Sequence, residues 1–225
     1  MSSKTHYGNL QKIVNGKRKF AITPHIPGGF IKIQDLEKIT SVAKKYNGVI
    51  KITSGQRLLI TNLKEEDLHS IWEELKMDPA VKEQNSVKNV EICPAGYCKR
   101  AKYNTTGIGM ILSKKYQWMP MPCRTKMGVA GCRNACGSVY SKDVGIIADK
   151  DGFIVTAGGS GGYNPRVSDI IANRLNKEEA LKLIDSIFDY YKENAERGEK
   201  ISFFIDRIGV EKFKEKVLKI NINVK

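Results

Sequence analysis

The sequence predicts an α+β protein in two parts, a ferredoxin-like α/β unit over residues 1–78 packed on an α+β domain over residues 79–225 that ends in helices. Three observations carry this reading. Short β-rich runs and amphipathic stretches alternate in the order βαββα between residues 20 and 76. A loop-rich segment with closely paired cysteines follows. Two further β-runs, a glycine loop and strongly amphipathic helices then complete the chain.

In the first part, residues 30–33 read as a short strand. Residues 33–45 read as a helix, with Leu36, Ile39, Val42 and Ala43 at helical spacing, and Gly48 stops it. Residues 49–53 and 57–61 are β-rich runs around Ser54, Gly55 and Gln56. Residues 65–75 form a second helix with Leu68, Ile71, Trp72 and Leu75 on one face. This order suggests a split sheet with its helices on one side.

In the second part, residues 79–122 read as loop, apart from a helix from Lys99 to about Leu112. Residues 144–148 and 152–157 read as paired strands, followed by the glycine-rich loop 158–162. Residues 177–194 form an amphipathic helix with Ala180, Leu181, Ile184, Ile187, Phe188 and Tyr191 inward. A single final helix is expected over residues 201–218.

The chain has 225 residues, of which 41% are hydrophobic, enough to fill a core. No stretch approaches the roughly 18 apolar residues needed to span a bilayer, and the N-terminus shows no apolar run behind its charges. A cytoplasmic protein is expected, with no membrane partner. The balance of 38 Lys and Arg against 24 Asp and Glu gives a net charge of +14. That favours an anionic substrate or an acidic protein partner. Nucleic acid is a third class of anion, but no nucleic-acid motif accompanies the charge.

Four of the five cysteines fall into two pairs, Cys93-x4-Cys98 and Cys132-x3-Cys136. In a reducing compartment such pairs point to metal or redox work over disulfides. The spacing leaves an iron-sulfur cluster, zinc and incidental thiols all open.

The neighbouring residues are more specific. The segment from Pro122 to Cys136, with Arg124, Lys126 and Asn134, is followed by Lys142-Asp143-Val144-Gly145 and the glycine loop. Together with Thr53-Ser54-Gly55-Gln56-Arg57 and with Lys88-Asn89-Val90 ahead of Cys93, it resembles the nitrite and sulfite reductase family, over residues 20–213. The resemblance implies a 4Fe-4S cluster and sirohaem. It makes Cys93, Cys98, Cys132 and Cys136 the cluster ligands, with Cys136 also the axial thiolate of sirohaem. The family usually has five residues between its first two cysteines where this chain has four, and the difference falls within residues 94–97.

The resemblance further implies an anion pocket of Arg57, Lys88, Arg124 and Lys126. Arg124 and Lys126 are two apart, so in an extended strand they share a face. Thr53, Gln56 and Asn134 match positions that contact the macrocycle, and Asn164 and Arg166 are expected at a sirohaem carboxylate. Cys123 is expected to be a free thiol. The implied activity is six-electron reduction of sulfite to sulfide, with nitrite to ammonia as the alternative and a non-catalytic iron-sulfur or zinc module as the reading from another class. One copy of the module without flavin or nicotinamide domains implies electrons from a separate ferredoxin-like acidic donor or partner subunit, and a possible homo-oligomer.

Overall fold

A computed structural model describes residues 7–219, and the chain divides into two units, Met1–Lys82 and Glu83–Lys225. The first unit opens with a hairpin that the sequence pattern did not reveal, β1 (Asn9–Val14) and β2 (Lys17–Ile22). Val14 pairs with Lys17, so the turn is Asn15-Gly16, and both residues have positive φ. Asn-Gly is the pair that a two-residue hairpin with this twist favours.

Helix α1 (Ile33–Lys45), β3 (Val49–Ile52), β4 (Leu58–Leu63) and α2 (Leu68–Leu75) follow. The sheet runs β1-β2-β4-β3 and is antiparallel throughout. Ile39, Val42 and Ala43 of α1 and Leu68, Ile71 and Leu75 of α2 join Phe20, Ile22, Ile60 and Leu63 of the sheet in one core. A single core served by both helices is the ferredoxin-like arrangement expected. At the turn into β3, a Cβ on Gly48 would lie 2.8 Å from the side chain of Ile60.

Two details differ from expectation. Residues 30–32 form no strand. The Phe30 N–H closes a tight turn on the Pro27 carbonyl, and the Lys32 carbonyl accepts from Asp35 and Leu36 as the cap of α1. The segment is thus used up by turn and cap, and β2 takes the place in the sheet. The second helix also starts later, since Glu65–Asp67 is a separate 3-10 turn.

The second unit holds β5 (Val87–Ile92), α3 (Thr106–Tyr116), β6 (Thr125–Ala130), β7 (Val144–Asp149), β8 (Gly152–Ala157), β9 (Asp169–Leu175), α4 (Lys177–Asn194), α5 (Ile201–Ile208) and α6 (Val210–Leu218). Its sheet runs β5-β6-β7-β8-β9. The first three strands are parallel, and β8 and β9 return antiparallel. The expected β7–β8 hairpin and α4 are present. A capping box fixes the start of α4: Asn176 accepts from Glu179 N–H at 2.9 Å while the Glu179 carboxylate accepts from Asn176 N–H at 2.7 Å.

Three expectations here are corrected. The segment read as loop contains β5. The helix starts at Thr106 instead of Lys99, because Ala101 and Lys102 give their N–H groups to Cys98 and Gly131 and so belong to a loop. The final helix is two, broken at Gly209, whose φ of 87° lies outside the helical region.

Gly107 and Gly109 of α3 meet different surroundings. A Cβ on Gly107 would touch nothing within 4 Å, whereas on Gly109 it would lie 2.6–2.9 Å from three side-chain atoms of Ile92. Ile92 is β-branched and has little freedom to yield. Gly107→Ala is therefore expected to stabilise by about 0.5–1 kcal/mol, and Gly109→Ala to destabilise by about 1–3 kcal/mol. Urea unfolding of the two variants checks this, and midpoints moving in the same direction would refute the packing of α3 on β5.

Candidate functional site

Adjacent parallel strands release both cysteine loops at the same sheet end. Cys93 follows β5, and its N–H donates to the Val129 carbonyl of β6 at 2.9 Å, carrying the ladder one residue past the strand. A short turn, Ala95–Tyr97, leads to Cys98. Cys132 follows β6 by one residue, and its carbonyl accepts from Ala135. The loops are tied together by a 2.6 Å hydrogen bond from Lys102 N–H to the Gly131 carbonyl. They abut so closely that a Cβ on Gly131 would lie 2.6 Å from the Ala95 Cβ and 3.0 Å from the Ala101 Cβ.

Cys93 packs against the cluster containing Ala130, Ala135 and Val139, beside the segment that carries Cys132 and Cys136. All four thiols are free, with Cys93 and Cys132 partly buried and Cys98 and Cys136 exposed. Among the described residues, no three His, Cys, Asp or Glu side chains are gathered as a site for a single ion. The donor set of the two joined loops is four sulfurs, the chemistry an iron-sulfur cluster requires. With the shortened loop, Cys93 still continues the β5–β6 ladder and packs beside the other pair's loop.

Arg124 and Lys126 behave as the strand period requires: both are exposed, while Thr125 and Met127 between and beyond them are buried. The Lys126 N–H donates to Asp143 Oδ2 at 2.8 Å. Burial pushes the Asp143 carboxyl up to about 6, against the opposing pull of that N–H and of the Lys200 and Lys126 charges. Lys126 is held below the ordinary lysine value, first by desolvation and next by the charge of Lys142. Lys142 in turn lies 2.7 Å from Glu91, and both side chains are buried. Lys88, on β5, is half-buried, and its carbonyl accepts from Gln117 Nε2 at 3.1 Å.

Glu91, Lys142 and Asp143 were missing from the site residues that the sequence suggests. Lys142 and Asp143 stand within one of its motifs, but only the sheet register brings them beside Lys126.

Asn134 donates from Nδ2 to the Cys136 sulfur at 2.9 Å. Asn164 is exposed. Arg166 plays a structural part, in which Nε and Nη2 serve Asp206, Nη2 also serves Asp169, and Nη1 serves the Gly158 and Val167 carbonyls. All three of its side-chain nitrogens are thereby engaged by protein acceptors. Beside the Cys136 loop lies a cavity of about 370 Å³ lined by Ser138, Tyr140, Ser141, Ser160 and Arg166, among others. Cys123 is free and partly buried.

Thr53, Gln56 and Arg57 lie in the other unit, at the β3–β4 turn. The Thr53 hydroxyl donates to the Arg57 carbonyl at 3.0 Å and its oxygen accepts from the Arg57 N–H at 3.2 Å. Thr53 thus closes the turn. Gln56 has φ of 58° and packs its Cβ over Gly29. Arg57 is half-buried, and its charge, after burial itself, helps hold His25 down to about 4.

Residues 83–224 match the family described as nitrite and sulphite reductase 4Fe-4S domain, and residues 13–78 match the nitrite/sulfite reductase ferredoxin-like half domain. The chain belongs to the nitrite and sulphite reductase family. An assimilatory-type sulfite reductase of Nitratidesulfovibrio vulgaris is 33% identical over 204 residues, covering 90% of this chain and 94% of the relative. A protein of Bacillus subtilis named nitrite reductase, NAD(P)H, is 29% identical over 206 residues, 91% of this chain but 25% of that one. Among solved structures, Mycobacterium tuberculosis NirA superposes with a TM-score of 0.78 at 16% identity over 90% of this chain and 40% of its own, which bears on the fold. No described helix is long and apolar enough to cross a membrane.

Because the folded Asp143 carboxyl titrates at about 6, above its unfolded value near 4, its stabilising contribution is complete at acid pH and is lost as pH rises through 6. Asp143→Asn keeps an oxygen acceptor for the Lys126 N–H without the charge. The variant's unfolding midpoint, taken relative to wild type, is expected to rise between about pH 4 and about pH 7.5. A difference independent of pH in thermal melts would show that Asp143 is not buried as an acid.

Proposed function

We propose that the protein is a sirohaem and 4Fe-4S sulfite reductase, taking sulfite to sulfide with six electrons from a separate donor protein. The observation that carries this reading is the juncture of two cysteine loops at the ends of β5 and β6, with Lys126 on β6 and Arg124 immediately before it. Sulfite is preferred over nitrite because the assimilatory-type sulfite reductase matches over nearly its whole length. Held by these residues, a 4Fe-4S cluster and sirohaem would together supply the single electrons that the reduction needs.

Cys93, Cys98, Cys132 and Cys136 are assigned to the cluster, and Cys136 also to sirohaem. The 2.9 Å hydrogen bond from Asn134 would steady the Cys136 thiolate and disperse its charge. Arg124, Lys126 and Lys88 are assigned to the oxyanion, where all three offset its charge and the two lysines give protons as oxygen departs. Gln56 and Arg57 are assigned to sirohaem's polar groups or the oxyanion on their motif alone. With 38 basic against 24 acidic residues, the surface suits an acidic donor such as a ferredoxin or a partner subunit.

Protein made with full cofactor supply is expected to show sirohaem's Soret and red bands, iron and acid-labile sulfide. Cys132→Ser should lose the sulfide, and Cys123→Ser should keep it. Reduced enzyme should show the higher kcat/KM for sulfite, and a much higher value for nitrite would overturn the substrate assignment. Lys126→Met should lower kcat by about a hundredfold with the cofactor bands retained.

A further inference from the structure

The register of the parallel strands sets Asn89 opposite Lys126, Glu91 opposite Gly128, and Gly128 opposite Gly145. With a period of two, Lys126 and Gly128 share a sheet face with Glu91 beside them. Lys142, arriving from the turn Val139–Ser141, rests on that face. A Cβ on Gly128 would lie 3.0 Å from the Lys142 Cγ and 3.2 Å from the Val139 Cγ2, and a Cβ on Gly145 would lie 2.4 Å from the Val139 Cγ1. The two glycines hollow the face so that this turn and the Lys142 stem can lie down on it. The Lys142 amine then meets Glu91 at 2.7 Å, with the side chains only 11% and 5% exposed.

A buried ion pair is a poor way to gain stability, since apolar residues of similar volume commonly do as well or better. This one lies next to a lysine whose side chain faces outward from the same strand face. We propose that Lys142, seated on Gly128 and held by Glu91, is a positioning residue that tunes the Lys126 amine as a proton donor to a small bound oxyanion. The inference rests on the assignment of Arg124 and Lys126 to the oxyanion. The charges acting on Lys126 are Lys142 and Arg124, which disfavour its ammonium form, and Glu91 and Asp143, which favour it. Lys142 is the strongest of the four, so the pair acts on Lys126 as a net positive charge. In the transfer the Lys126 N–H bond breaks and an O–H bond forms on the oxyanion, leaving a neutral amine that regains its proton from solvent. An ammonium made more acidic gives up that proton more readily.

Opposite responses from the two halves of one ion pair test the proposal. The pH dependence of Lys126 acetylation by acetic anhydride, read by mass spectrometry on the full chain, reports the amine without need of turnover. The Lys126 midpoint is expected to move up in Lys142→Met and down in Glu91→Gln, with the acetylation rate below the midpoint changing severalfold in matching senses. The double variant Glu91→Gln/Lys142→Met leaves no unpaired buried charge and keeps the test available if a single variant fails to fold. Its midpoint should move up by less than that of Lys142→Met. Midpoints that stay fixed, or that move together in both single variants, would overturn the proposal. Lack of turnover on sulfite and nitrite with the opposite midpoint shifts intact would overturn the assigned function and leave the tuning standing.

Discussion

Pairing of β5 with β6 in parallel is the constraint on which the second unit depends. Parallel strands end at the same side of a sheet, so the chain leaving each one enters the same space, and here each leaves with a cysteine. The same register brings Glu91 of β5 to the glycine two residues beyond Lys126. Sulfur donors at the strand ends and charged groups along one face therefore follow from a single set of main-chain hydrogen bonds. Replacing Gly131 with any larger residue would drive the loops apart at the point where they meet, because its missing side chain is what lets Ala95 approach.

Charge on this sheet is arranged by depth. Arg124 and Lys126 reach solvent, while Glu91, Lys142 and Asp143 lie beneath them with almost no access to water. Buried charges act strongly on their neighbours because little solvent screens them. The two lower lysine and glutamate side chains satisfy each other, and the Asp143 carboxylate is met by a main-chain N–H of the strand that carries the outer lysine. Strand geometry and side-chain acidity are coupled at that N–H.

Much of this was legible in the sequence where local pattern decides the structure. The helices Ile33–Lys45 and Lys177–Asn194 followed from apolar spacing, and the β7–β8 hairpin from two β-rich runs around a short polar turn. The shared exposure of Arg124 and Lys126 followed from period two. Asn15-Gly16 was also readable as a hairpin turn, yet the mixed polarity of its flanking strands hid it. What could not be read was set by long-range pairing. β5 carries buried Asn89 and Glu91, so it does not look like a buried strand until its partners are known. Lys142 stood within a motif but without a role there, because the glutamate that holds it lies 51 positions earlier. Arg166 sat in a loop after a glycine run, and only the fold supplies the two aspartates and two carbonyls that occupy it.

The hydrogen bond between Lys102 and Gly131 also bears on how such a protein matures. In a zinc finger the metal itself brings its ligands together, and the apo chain is unfolded. Here polypeptide contacts already join the two thiol-bearing loops, so the entropy of closing the segment between them is met by the sheet and by that bond. Strand pairing and loop packing, and not metal ligation alone, then hold the two loops side by side.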